Sequence, residues 1–232
     1  MTLAALLLPF ALAQAATDAP AHGAAHAMLS TGGEAHFEQC VASIDRDPNA
    51  AYEDGMAWSA VTHDVGGYRC AAMALIAENR YDEGAHRLET LASSVSTEAI
   101  GLRAELLSQA GNAWLLAHDP SQARSAFTLA ITTLHSAPQQ TPDVLIDRAR
   151  AYAMEEDYRH AEEDLSHALD IRPNDALALR LRASARMHQN SFELAQADAQ
   201  AAVNLEPTNV DSLLMLGHTR EAVRTGHAVD EQ

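Results

Sequence analysis

From Glu34 onward the chain sets apolar stripes against polar faces at a helical period. In residues 34–46, Cys40, Val41 and Ile44 follow Phe37 at offsets of three, four and seven, which is one side of an α-helix. Asp47-Pro48 ends that stretch, because proline has no amide hydrogen to give and its ring clashes with a continuing helix. Residues 50–62, with Tyr52, Met56 and Trp58, predict a second helix, and Gly66-Gly67 reads as the next break. Residues 17–33 carry Pro20, Gly23, Gly32 and Gly33 with no apolar period, and read as a flexible linker.

A longer period then takes over. Residues 142–175 and 176–209 match at an offset of 34, pairing Pro173 with Pro207, Ala149 with Ala183, Tyr158 with Phe192 and Ala161 with Ala195. Ala168 with Ala202, Leu169 with Val203 and Ile171 with Leu205 complete the series. Each unit divides into two helical runs around a polar turn such as Glu155–Tyr158. Neither helix can bury its stripe alone, so the pairs must stack, each covering the next. Ala149, Ala161 and Ala168 stand where the two helices must touch and where bulk would push them apart.

This unit resembles the tetratricopeptide repeat. That family has a large residue at position four, Gly or Ala at eight, an aromatic at eleven and Ala at twenty. Bulk at twenty-four, Ala at twenty-seven and Pro at thirty-two follow. Residues 142–175 supply Leu145, Ala149, Tyr152, Ala161, Leu165, Ala168 and Pro173. Residues 176–209 supply Leu179, Ala183, Ala195, Ala202 and Pro207, with Arg186 and Ala199 where the family prefers bulk. Residues 104–137 give Leu107, Gly111, Trp114, Ala123, Phe127 and Ala130. A weaker unit beginning at Gly66 offers Ile76, Ala85 and Ala92, and departs from the pattern at Met73 and Glu89. The resemblance implies an all-α, right-handed superhelix, an α-solenoid of stacked antiparallel helix pairs.

The expected organisation is a signal peptide at 1–16, a linker at 17–33 and a helical cap or degenerate repeat at 34–65. A degenerate repeat at 66–103 and three fuller repeats at 104–141, 142–175 and 176–209 follow, and a capping helix and tail occupy 210–232.

Composition narrows the function. The 232 residues hold 32 acidic side chains against 15 arginines and no lysine, a formal charge of −17, which disfavours nucleic acid and anionic lipid as partners. Leu3 to Ala13 is an apolar run of signal-peptide length, followed by the small-x-small pattern Ala13-Gln14-Ala15, and it is too short to span a bilayer, which takes about 20 residues. Export to the periplasm or outside the cell is therefore expected, with no membrane insertion of the mature chain. Cys40 and Cys70 then suit a disulfide; in a reducing compartment they would serve as small buried hydrophobes. His22 and His26 have helical metal-ligand spacing but lie in the linker, so no metal is expected, and no cofactor. No nucleophile, phosphate-loop or zinc-protease motif occurs, so no enzyme activity is expected.

The resemblance implies that the first helix of each pair lines a concave groove. The residues mapped there are Asn112, Leu115, Leu116, Ile146, Arg150, Met154, Arg180, Ser184, Met187 and His188. Met and Leu give shape-tolerant contact, and Arg gives paired bonds to carboxylates. The expected partner is a peptide or protein carrying an apolar side chain and an acidic group, bound by an adaptor or assembly factor. The alternative is a self-associating scaffold of the cell envelope whose groove closes on a second copy as a homodimer.

Overall fold

The computed structural model describes residues 31–228, which form eleven α-helices and two 3₁₀ turns, with no strand among them. The helices are α1 (Thr31–Ile44), α2 (Pro48–Thr62), α3 (Val65–Ala77), α4 (Tyr81–Ser94), α5 (Ile100–Leu116) and α6 (Pro120–Thr133). After the 3₁₀ turns at Leu134–Ser136 and Pro138–Gln140 come α7 (Pro142–Met154), α8 (Tyr158–Ile171), α9 (Ala176–His188), α10 (Phe192–Leu205) and α11 (Val210–Thr225). The signal-peptide run, the linker up to residue 30, and His22 and His26 lie outside the described residues. The last linker residues, Thr31 to Gly33, already belong to α1.

Short polar side chains start most of these helices. Asp47, Asp64, Asp119, Asp157, Asp175 and Asn209 each accept a hydrogen bond from a backbone amide in the first turn of α2, α3, α6, α8, α9 and α11. Each such cap satisfies an orphan donor at the positive end of the helix dipole and stabilises by about 1 kcal/mol. Part of the acidic surplus is thus spent on local structure. Between the helices of a pair the chain reverses through one residue in the left-handed region: Asn79 (φ 63°), His118 (φ 58°), Glu156 (φ 61°) and Asn190 (φ 60°).

Those four residues set the repeat frame, each standing at position fifteen. Counting back from them, the repeats begin at Val65, Ala104, Pro142 and Ala176. The first repeat therefore starts one residue earlier than its alanines suggest. In this frame its close-contact positions eight and twenty are Ala72 and Gly84, both buried, and a Cβ on Gly84 would come within 3.0 Å of the Ala72 carbonyl oxygen. Met73 then lies one position on, partly buried against the cluster of Cys40, Ile44, Ala51, Cys70 and Ala74. The extra residues at the first two junctions, 99–103 and 138–141, form the four-residue N-terminal extension of α5 with the residue before it, and the second 3₁₀ turn with the residue after it.

Consecutive helices pack on one another, α2 on α3 through α10 on α11, in the order of a stacked array. The apolar core follows that order in overlapping stretches. Cys40, Ile44, Ala51, Cys70 and Ala74 fill the first; Leu88, Leu106, Trp114 and Phe127 dominate the second. Leu145, Leu165 and Leu179 dominate the third, and Met187, Phe192 and Leu216 the last.

Gly66-Gly67 does not break the helix. It lies inside the first turn of α3, and both glycines are buried. The break falls at His63 and Asp64, where His63 takes φ 56° and Asp64 caps α3. The glycines serve close approach instead. A Cβ on Gly55 of α2 would sit 2.6 Å from the Gly67 carbonyl oxygen, and one on Gly66 would sit 2.7 Å from the Trp58 ring. Backbone meets backbone at this crossing, so neither neighbour can yield as a flexible side chain would. Gly67→Ala is expected to cost about 1–3 kcal/mol in overpacking. Urea unfolding measures this: the midpoint of the variant falls, and an unchanged midpoint would show that the crossing has slack.

Candidate functional site

Alternate helices differ in what they touch. α5, α7, α9 and α11 approach one another as second neighbours, whereas α4, α6, α8 and α10 are kept further apart. α5, α7, α9 and α11 therefore lie on the inside of the curve, and their free faces make up its concave wall.

That wall is crossed by polar bonds from one inner helix to the next. Arg69 of α3 donates to Gln109 of α5 (3.1 Å) and pairs with Glu105. Asn112 of α5 donates to Asp147 of α7 (3.0 Å), whose other oxygen accepts from Arg150 (3.2 Å). Arg180 of α9 donates to Ser212 of α11 (3.2 Å) and to Glu206 (2.9 Å). Burial pushes the Asp147 carboxyl above the ordinary carboxylate range, against the pull of the Asn112 and Arg150 bonds.

The mapped groove residues divide into three groups. Leu115, Ile146 and Met187 are 4%, 3% and 8% exposed and belong to the apolar core. Asn112, Arg150, Arg180 and Ser184 are half-buried, and both arginines already have carboxylate partners from this chain. Leu116 and Met154 stay exposed, at 38% and 39%, as does Leu177 nearby on α9. His188 is also exposed, its ring stacked on Tyr158 with centroids 4.1 Å apart. What the wall offers a ligand is thus a row of apolar tips and a flat ring set among satisfied polar groups.

A second set of charges escapes simple motif reading. Arg148 of α7 makes two bonds of 2.8 Å to Asp164 of α8, and its remaining nitrogen reaches Thr128 of α6 (3.1 Å). One repeat later Arg182 of α9 holds Asp198 of α10 through bonds of 2.9 and 2.8 Å and reaches Ser166 of α8 (3.2 Å). Each arginine clamps its own outer helix and the preceding one. Its charged form is favoured first by the hydrogen bonds it donates to its aspartate, which raise its pKa despite burial. The signal was available, since Arg148 and Arg182, like Asp164 and Asp198, are themselves 34 residues apart. Arg186, standing where the family prefers bulk, donates to Asp198 (2.7 Å) and to Glu162 (2.8 Å). In the preceding repeat Tyr152 takes that position, with Arg124 and Arg148 within 6 Å of its ring centre.

Among the described residues no group of three or more His, Cys, Asp or Glu is placed to hold a metal ion. Cys40 of α1 and Cys70 of α3 are buried against each other with Cα atoms 6.2 Å apart, within the span of a disulfide.

The fold is that of the tetratricopeptide solenoid. The chain resembles the MamA RS-1 ArsTM double mutant at a TM-score of 0.61 and 13% identity, over 78% of this chain and 98% of that one. It also resembles the C-terminal TPR-containing domain of a Plasmodium falciparum FK506-binding protein, with a TM-score of 0.51 and 19% identity, covering 58% of this chain and 97% of that one. No protein-family model and no curated protein matches the sequence.

The two arginine clamps predict a ranking. Asp198→Ala takes the carboxylate from Arg182 and one of two carboxylates from Arg186, whereas Asp164→Ala takes the carboxylate from Arg148 alone. Removing one partner of a buried pair costs about 3–5 kcal/mol. Urea unfolding should therefore show both variants destabilised, Asp198→Ala more so; equal or reversed losses would contradict the shared-carboxylate geometry.

Proposed function

We propose that this protein is an exported adaptor or assembly factor that holds a peptide or protein segment along its concave wall. The observation that carries the reading is the exposure of Leu116, Met154 and Leu177 on that wall, beside a polar framework whose bonds are already made. A wall built only to close the array would bury those tips, as it buries Leu115, Ile146 and Met187. Apolar contact with a ligand then needs no rearrangement of the wall. A partner carboxylate, by contrast, would have to displace Asp147 or Glu206 from Arg150 or Arg180. The reading therefore keeps the peptide and drops the acidic group. Substituting either arginine by Glu would set like charges against each other within the fold, so those variants test stability before they test binding.

Export is part of the same reading. It is supported by the apolar run at Leu3 to Ala13 with its Ala13-Gln14-Ala15 sequel, and by the burial of Cys40 against Cys70. In an oxidising compartment the two thiols join and tie α1 to α3 across a sequence separation of 30. Closing such a loop contributes roughly 3–4 kcal/mol in the chain-entropy account.

One preparation tests both parts. The protein is purified from its native envelope, and the partners captured by wild type and by Leu116→Glu/Met154→Glu are identified by mass spectrometry. The double variant should lose the wild-type partner while keeping the wild-type helical content. Capture of the same partner by both proteins would end the groove reading. The intact mass without reductant should show no free thiol, and two free thiols would refute the bridge.

A further inference from the structure

Arg87 breaks the charge pattern of the array. In the third and fourth repeats position seven is an arginine and position twenty-three an aspartate, and Arg148 with Asp164 and Arg182 with Asp198 close the same clamp. The second repeat has alanine at both places, Ala110 and Ala126. The first has Ala71 at seven and Arg87 at twenty-three, so a cation stands in the aspartate's seat with no acid opposite. Arg87 still reaches the helix before its pair, as the clamp arginines do. It donates to the Tyr52 hydroxyl of α2 (3.0 Å) and to the Met56 sulfur (3.8 Å), and its guanidinium carbon lies 5.4 Å from the Tyr52 ring centre. Among the described residues no carboxylate pairs with it. Glu83, one turn back on α4, gives its oxygens to Arg80 (2.9 and 2.6 Å), and Glu89 accepts from the Trp114 indole (3.0 Å).

This half-buried arginine borders a cavity of about 390 Å³, lined also by Tyr68 of α3 and by His86, Thr90, Leu91 and Ser94 of α4. The donors there are unequally spent. Thr90 and Ser94 give their hydroxyl hydrogens to the His86 and Leu91 carbonyls (2.8 and 2.7 Å). The Arg87 Nε–H and the Tyr68 hydroxyl donate to no described acceptor. The Tyr68 ring and Leu91 add carbon to the lining. We propose that this cavity binds a carboxylate carried on a small apolar body. The carboxylate accepts from Arg87 and Tyr68, and the body lies against the Tyr68 ring and Leu91. A guanidinium partly withdrawn from water gains most from a carboxylate, whose two oxygens match its fork. A single negative charge suits the place better than two, because the chain's formal charge of −17 repels a dianion more strongly. Five of the six lining residues belong to the outer helix α4, so the cavity is separate from the concave wall and does not depend on what that wall holds.

Nitrogen-15 NMR of the full chain, titrated with phenylacetate, tests the inference. The Arg87 Nε–H resonance, assigned by its loss in Arg87→Gln, should shift saturably. Phenylacetamide has the same ring without the charge and should bind at least ~10-fold more weakly, as loss of a charge-assisted hydrogen bond predicts. Read from the Thr90 and Leu91 backbone amides, Arg87→Gln should weaken phenylacetate binding at least ~10-fold and Tyr68→Phe about 3- to 10-fold. Circular dichroism melts check that both variants fold; Tyr68→Phe keeps the ring and its packing, so it carries the test if Arg87→Gln unfolds. A short peptide ending in phenylalanine, with its terminus free or amidated, separates the two sources of such a group. Tighter binding of phenylacetate than of the free-ended peptide assigns the cavity to a small acid, and the reverse order, abolished by amidation, assigns it to the end of a partner chain; either order supports the inference. No saturable shift with phenylacetate or the peptide would overturn it. So would equal binding of phenylacetamide, or an affinity unchanged in the folded variants.

Discussion

Room between crossing helices is the constraint on which this structure depends. An array of helix pairs can bury its apolar stripes only if inner and outer helices come close, and they come close only where side chains are small. Ala149, Ala161, Ala168 and their counterparts Ala183, Ala195 and Ala202 meet that demand in the later repeats, all of them nearly inaccessible. Gly111 meets it against Phe127, and Gly55 meets it against the α3 backbone. Alanine is so frequent in this chain because the architecture needs methyl-sized contacts at many crossings and because alanine also favours the helix itself. Large side chains are then confined to the spaces between crossings, where Leu75, Leu88, Phe127 and Leu165 are fully enclosed.

The same closeness determines what remains for function. Packing takes Leu115, Ile146 and Met187 into the core and leaves Leu116, Met154 and Leu177 at the surface. Charges obey a parallel rule. A guanidinium half-buried between helices must find carboxylates, and Arg148, Arg180, Arg182 and Arg186 all find them within the chain. Such pairs are weak contributors to net stability but costly to break, so they fix how one repeat sits on the next. The formal charge of −17 thus overstates the acidity available to a partner, since many carboxylates cap helices or hold arginines.

The helix pairs and their 34-residue period were legible because matched positions such as Tyr158 with Phe192 and Pro173 with Pro207 occur side by side in the chain. The reading of Gly66-Gly67 as a break failed for a physical reason. A glycine pair is a turn signal locally, and only the tertiary contact with Gly55 and Trp58 shows that it lets two helices touch. The first repeat was set one residue late because Ala85 and Ala92 look like the small contact positions, while Gly84, Leu88 and Leu91 occupy the corresponding places in the true frame. The groove residues could be assigned to the inner helices from the repeat pattern. Which of them are sealed depends on the curvature of the array, a property of several repeats together that no single window of sequence displays.

Compensating changes of size at one crossing test the governing constraint most directly. Gly111→Leu should destabilise by about 1–3 kcal/mol through overpacking and Phe127→Ala by about 3–5 kcal/mol through the cavity it leaves. In a double-mutant cycle followed by urea unfolding, the combined variant should be more stable than the sum of the single losses by at least ~1 kcal/mol, because the new leucine occupies the space the ring vacates. Strictly additive losses would mean that the two residues do not share that space, and would contradict this account of how the array closes.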